Sequence, residues 1–333
     1  MKTLFLSILF VLLTQILCAS SIKEIYWYNI PYDTATFGDM TIEQKSYVEI
    51  VCDTAIINGL IIEAYNKKNK IIYKKNIANF SDATNKSLIK ENLYSYFFDV
   101  QHLNVPPAKL VVKNTKNKVL RSVICNYVNL KGKVNCGLNY KKRYLMFFPN
   151  GFDDPDLIQQ TMLDGSFSII IPQRKYNCLH AVADTYGQQT LENWLNNFDG
   201  TVDSISIDFN IYNAEIYNLH AWENNGGGNS LFISFRPMCL QQTTTNEITI
   251  GKDIFFEVNF NIPLEKENIT VRIDGKEMNI KSVQPFYETG VKNQALKSYI
   301  IQIDYDKHFR NKLLSVEFNY NGFRGESRLF LNF

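Results

Sequence analysis

The sequence predicts a mainly β protein: a β-rich N-terminal region of α+β character with a few short helices, followed by an immunoglobulin-like β-sandwich at the C-terminus. Three observations carry this. Aromatic residues make up 14% of the 333-residue chain, with 19 Tyr and 23 Phe, a composition suited to pleated, half-buried sheets. Ser204–Ile211 alternates strictly, so Ile205, Ile207, Phe209 and Ile211 share one face and Ser206, Asp208 and Asn210 the other. Residues 247–333 read as about seven short strands in succession, the rhythm of a sandwich.

In chain order, Met1–Ser20 (MKTLFLSILFVLLTQILCAS) places one lysine before a short apolar run and small residues, the plan of a secretory signal peptide. The alternative is an uncleaved anchor. No later stretch approaches the ~20 apolar residues of a membrane span. The expected division is a signal peptide over 1–20, a mixed β-rich domain over 21–245 with a break near 150, and the sandwich over 246–333. The polar run Thr243-Thr244-Thr245-Asn246 marks the last boundary.

Strands are expected at Tyr47–Cys52, Leu60–Tyr65, Lys70–Lys74, Lys109–Val112, Ser122–Val128, Tyr144–Phe148, Ser166–Ile171 and Ser230–Phe235. Three helices are expected. Asp154-Pro155 opens one through Leu157, Ile158 and Met162, stopped by Gly165. Thr185–Gln188 is a capping box before Leu191, Trp194 and Leu195. Leu88–Phe98 places Ile89, Leu93 and Phe97 at helical spacing. In the C-terminal region Asp274-Gly275 signals a tight hairpin.

Removal of Met1–Ser20 leaves Cys52, Cys125, Cys136, Cys178 and Cys239, which in an oxidising compartment should partly pair. Cys125 and Cys136 are the expected disulfide, with a turn at Gly132 between them. The odd count leaves one free thiol or an intermolecular bridge. Sequons at Asn79, Asn85 and Asn268 fit a secreted, extracellular glycoprotein. With four His and no CxxC pair, no metal site and no cofactor are expected.

The net charge of +2 conceals a segregation. Between Lys67 and Arg143 stand 17 basic residues against Asp82, Glu91 and Asp99. Lys67, Lys68, Lys70, Lys74, Lys75, Lys141, Lys142 and Arg143 are the candidate anion-binding residues, on the premise that Lys70–Lys74 and Tyr144–Phe148 are neighbours in one sheet. The partners this implies are an anionic glycan, a lipid surface or an extracellular protein. Nucleic acid is not expected of a secreted chain without a recognition fold.

No complete catalytic motif is present. Cys178-Leu179-His180 with Asp184 has the residue types of a thiol hydrolase without its spacing. Around Asp208, the positions where retaining glucanases carry glutamates are Ser206 and Asn210. Asp153, Asp154 and Asp156 lack a calcium-loop pattern, and Glu223–Gly228 lacks the lysine of a phosphate loop. Trp194-Leu195, Thr201, Asp208-Phe209-Asn210-Ile211-Tyr212-Asn213-Ala214 and Asn218-Leu219 together resemble the end of the extracellular domain of polycystin channels, with Asn196 where the family has Asp and no pore helices following. The resemblance implies a β-rich extracellular module without enzyme activity. The reading is a secreted recognition or adhesion protein without a catalytic site. The alternatives are a secreted hydrolase acting on glycans, using Asp208, Glu215 and Glu223, or a membrane-active β protein.

Overall fold

A computed structural model describes residues 22–332, apart from 38–39, 54–58, 91–92, 138–141, 153, 155–156, 225–228, 242–245, 259–261 and 292. The mainly β class is as expected. Among the described residues there is no α-helix, only the 3-10 turns Phe80–Asp82, Lys266–Asn268 and Lys307–Phe309. Three principal apolar cores organise the strands.

The N-terminal unit is itself a sandwich. One sheet runs Ile22–Tyr28, Ser46–Cys52, Leu93–Val100, Asn85–Lys90. The other runs Val119–Ile124, Lys109–Asn114, Leu60–Tyr65, Ile71–Ile77. Trp27, Val48, Ile50, Phe98, Ile62 and Val112 close the space between them. The outer face of the first sheet is covered too: Tyr28, Tyr47 and Phe97 pack into the second core, with Val128, Leu130 and Phe147 of the middle unit.

The middle unit is built on Tyr127–Cys136, which pairs antiparallel with Ser166–Pro172 and parallel with Ser204–Ser206 and then Phe209–Ile211. The expected alternation is observed, interrupted once. At Ile207-Asp208 the strand bulges, and the Asp208 carboxylate accepts the Lys133 N–H at 2.8 Å in place of a backbone carbonyl. Gly132 makes this approach possible, because a Cβ there would lie 1.9 Å from the Ile207 carbonyl oxygen.

The C-terminal unit is a two-layer β-sandwich. Phe323–Phe330, Leu313–Tyr320, Ile269–Ile273 and Lys276–Glu277 form one layer. The other contains Ala214–Glu223, Ser230–Cys239, Gln294–Asp304, Asp253–Val258 and Glu247–Ile250, with Ile280–Val291 paired to Gln294–Asp304. Phe235, Ile301, Val271, Val316 and Phe318 fill the space between them without solvent exposure. Asp274 and Gly275 take φ of 47° and 79°, the left-handed pair that a tight hairpin demands. The cores change at Cys125-Asn126 and at Asn213-Ala214, whereas the sequence placed breaks near 150 and 245. The hairpin Ala214–Cys239 belongs to the C-terminal core.

All three expected helices are corrected. Leu157–Gln160, Asn193–Asn196 and the pair Asn85–Lys90 and Leu93–Val100 are strands, and Thr185–Thr190 is a turn closed by bonds to the Thr185 carbonyl. Asp154 caps a turn, accepting the Asn150 and Gly151 N–H groups at 2.5 and 3.2 Å.

Two seams join the units. At the first, the fully buried Glu49 accepts hydrogen bonds from Arg174 (2.5 Å), Tyr28 (2.7 Å), Ser95 (2.6 Å) and Asn150 (3.0 Å). At the second, Asn193–Asn196 pairs parallel with Phe323–Phe330, so one eight-stranded sheet continues from the middle unit into the C-terminal sandwich.

Candidate functional site

The topology separates the basic residues that the sequence grouped. Ile71–Ile77 is the edge of its sheet and pairs only with Leu60–Tyr65, among the described residues. Arg143–Phe148 pairs with Leu157–Gln160 and Cys178–Ala183 in another sheet. The two are therefore not neighbours, and the expected face shared by Lys70–Lys74 and Tyr144–Phe148 does not form. Lys141 lies outside the described residues. Arg143 donates to the Leu163 carbonyl at 3.3 Å, in the turn that follows Leu157–Gln160, and Lys142 is exposed.

Lys74 and Lys75 are engaged by the fold. Lys74 lies 3.6 Å from Glu63, which also holds Lys113 at 2.6 Å and accepts from Tyr65 at 2.6 Å. The Lys113 and Tyr65 hydrogen bonds hold the Glu63 carboxyl below its usual range despite the cost of burial. Lys75 donates to the Asp99 carbonyl across to the facing sheet.

Lys67, Lys68 and Lys70 remain, exposed and without a side-chain partner among the described residues. They ride on the hairpin turn Asn66–Lys70. Asn66 organises that turn: its side-chain oxygen accepts the N–H of Lys68 at 2.9 Å and of Lys70 at 3.0 Å, while Asn69 takes φ of 58°. Lys109 joins them, donating to Asn69 at 2.9 Å and lying 4.7 Å over the Tyr65 ring. The turn Asn114–Lys118 has the same construction, with Asn114 accepting from Lys116 and Lys118 and Asn117 at φ 61°. The register Leu60↔Asn114 and Tyr65↔Lys109 puts it at the opposite end of the sheet. The sequence showed this recurrence as Asn66-Lys-Lys-Asn-Lys and Asn114-Thr-Lys-Asn-Lys, a pattern too short to stand out as a repeat.

Lys67 and Lys68 rim a groove of about 740 Å³ between this turn and the loop after Val100. Ile72, Leu103, Val105, Pro106, Pro107 and Ile170 form its walls, and the two lysines are its only charged lining residues among the described ones. Val105 is 68% exposed and Ile170 48%, the latter being an apolar residue on the outward face of Ser166–Pro172. The loop is fixed in place. Asn29 donates to the Leu103 carbonyl at 2.7 Å and accepts its N–H at 2.9 Å, and Ala108 N–H binds the Tyr65 carbonyl at 2.7 Å. Tyr127 donates to Pro107 at 3.0 Å. The groove is thus formed before anything enters it. Its chemistry suits an amphiphile: an apolar body along the walls and an anionic head at the lysines.

The other sequence candidates disperse. No disulfide joins the described cysteines, so the expected Cys125–Cys136 pair is not made. Cys125 packs on the N-terminal core and Cys136 on the middle core. Burial pushes the thiols of Cys125 and Cys178 up to about 12, which leaves neither nucleophilic at neutral pH. Asp208 is committed to its bulge. Glu215 and Glu223 stand at the two ends of one strand, about 26 Å apart at ~3.3 Å per residue. Glu223 accepts from Tyr305 and from Arg310, the latter at 3.1 Å. These three carboxylates do not converge. Asp153, Asp156 and the glycines 226–228 lie outside the described residues, and no group of metal-ligating side chains occurs among the described ones. Asn79 is exposed; Asn268 is half-buried and caps its own turn.

No protein-family model matches the chain, and no curated protein matches it. Among solved structures, the I-band fragment of titin is similar at 8% identity and a TM-score of 0.19, covering 93% of this chain and 99% of that one. The complex of Dpr2 with DIP-Theta is similar at 7% identity and a TM-score of 0.15, covering 91% of this chain and 99% of the other. Likeness at these scores carries no argument about fold or function. No helix among the described residues is long and apolar enough to cross a membrane.

Proposed function

We propose that this chain is a secreted β-rich recognition protein that docks on anionic lipid surfaces through the lysine-rimmed groove. The observation that carries the reading is the composition of that groove: apolar walls, two lysines at the rim and no acidic residue among the described lining residues. A sulfated glycan would use the lysines and leave the walls wet, whereas a lipid uses both. Each lysine held near an anionic surface contributes ~1 kcal/mol, so Lys67 and Lys68 supply ~2 kcal/mol. Insertion of Val105 and Ile72 adds the remainder of a weak, reversible attachment.

The test is co-sedimentation with phosphatidylcholine vesicles, with and without phosphatidylserine. Binding should require the anionic lipid and weaken as salt shortens the screening length. Lys67→Ala with Lys68→Ala should lower partitioning about 30-fold, the ratio that ~2 kcal/mol commands. Val105→Asp should abolish it. Equal binding to neutral vesicles, or binding that survives both variants, would overturn the proposal.

A further inference from the structure

We propose that a second cleft, at the seam between the middle and C-terminal units, binds a neutral saccharide. The cleft has a volume of about 280 Å³, close to the ~300 Å³ lower end of small-ligand sites and suited to one or two sugar rings. Among the described residues no lysine, arginine, aspartate or glutamate lines it. Its polar lining is mainly amide: Asn177, Asn196, Asn197 and Asn218, with His220 beside them. Its apolar lining includes Phe152, 59% exposed, whose ring meets Trp194 edge-on at 5.6 Å. Trp194 is in turn gripped by His180 at 4.4 Å and Tyr217 at 5.6 Å, so the platform beneath Phe152 is rigid. A pyranose presents the matching chemistry: an apolar C–H face for an aromatic ring and a rim of hydroxyls that both donate and accept, as amides do.

The backbone is shaped toward the same spot. Asn197 and Asn218 are both left-handed, at φ 52° and 54°. The pairing of Ala214–Glu223 with Ser230–Cys239 slips between Tyr217 and His220, a bulge of the kind that re-aims side chains at functional sites. Asn197 makes no side-chain hydrogen bond among the described residues, and Asn177 makes only a 3.8 Å contact with the Cys178 sulfur. Both are exposed. Asn196 is held by Ser327 and the Arg328 carbonyl, and Asn218 by Glu288 and His220, so these two frame the cleft while Asn177 and Asn197 keep donors and acceptors unspent, with no cation among the described lining residues to select an anion.

The test titrates the full chain with maltose, lactose, mannobiose and N,N′-diacetylchitobiose, followed by calorimetry and tryptophan fluorescence. At least one should bind saturably. Phe152→Ala should weaken that sugar at least 10-fold, and Asn197→Gly, which keeps the left-handed backbone, several-fold. The Lys67→Ala/Lys68→Ala pair, whose residues line the other groove, should leave it unchanged, and each variant should keep the parent melting curve. Saturation by none of the four sugars, or saturation indifferent to both Phe152→Ala and Asn197→Gly, would overturn the proposal and leave the lipid reading untouched.

Discussion

The two seams of the molecule hold neighbouring units together by opposite means. The first closes over a charge pair. Burial alone would push the Glu49 carboxyl up, but the Arg174 guanidinium and the Ser95, Tyr28 and Asn150 hydrogen bonds outweigh it and hold the group below its usual range. The second seam closes over a carboxyl whose compensation falls short. Burial, with repulsion from Glu192 added, pushes Glu215 up to about 8, against the partial relief of the Glu192 N–H at 3.2 Å, the Trp194 side chain and the Arg236 charge. One glutamate is held charged and the other neutral, and each seam is weakened by the condition that suits its counterpart.

The largest expected effect separates the seams by mutation. Arg174→Ala leaves Glu49 buried without its counter-charge and should cost about 3–5 kcal/mol in urea unfolding. Glu49→Leu combined with Arg174→Met should recover most of that loss. At the second seam Gly325→Ala is the matching probe, since its Cβ would lie 2.6 Å from the Phe318 ring and 3.0 Å from the Glu215 carbonyl carbon. Overpacking of this kind costs ~1–3 kcal/mol. A larger penalty at Gly325 than at Arg174 would reverse the ranking of the two seams.

Acidity sharpens the same contrast. The depressed Glu49 contributes stability that is present above the ordinary glutamate value of ~4.3 and is lost as pH falls through its lower folded value. The raised Glu215 contributes stability that is complete below ~4.3 and is lost as pH rises through about 8. Glu215→Gln should therefore flatten the alkaline limb of a stability profile, and Glu49→Gln the acid limb. An alkaline limb unaltered in Glu215→Gln would remove Glu215 as its source. The smallest effect serves as the control: Lys142→Glu, exposed and away from both seams, should change stability by no more than ~0.5 kcal/mol and leave vesicle binding intact.

What the sequence revealed follows from how many faces of a strand are covered. Leu60–Tyr65 was legible to the residue, and Ser204–Ile211 was read from alternation alone. Where the false helices carried their apolar residues, Leu157–Ile158, Trp194–Leu195 and Tyr96–Phe98 are strand residues buried on both faces. Leu157 packs in the middle core and Ile158 in the satellite core behind it. Trp194 and Leu195 divide in the same way. Phe97 faces the middle core while Tyr96 and Phe98 face the N-terminal one. Consecutive buried residues erase the period of two and imitate helical spacing. At the site, the sequence contained the lysines of the groove but not its walls, because Ile72, Val105 and Ile170 come from three separated segments. Nothing local announces that Lys74 and Lys75 are spent on Glu63 and Asp99 while Lys67 and Lys68 are not.

The parallel pairing of Asn193–Asn196 with Phe323–Phe330 also fixes a sequence of events during synthesis. Trp194 accepts a hydrogen bond from Ser327, 133 residues further along the chain. At ~5–20 residues per second, the strand 193–196 waits about 7–27 s for its partner to be made. During that interval the middle unit carries an open sheet edge, the kind of surface that recruits foreign strands. Truncation after Asn213, which spares the whole middle unit, should therefore leave that edge unpaired and the fragment aggregation-prone.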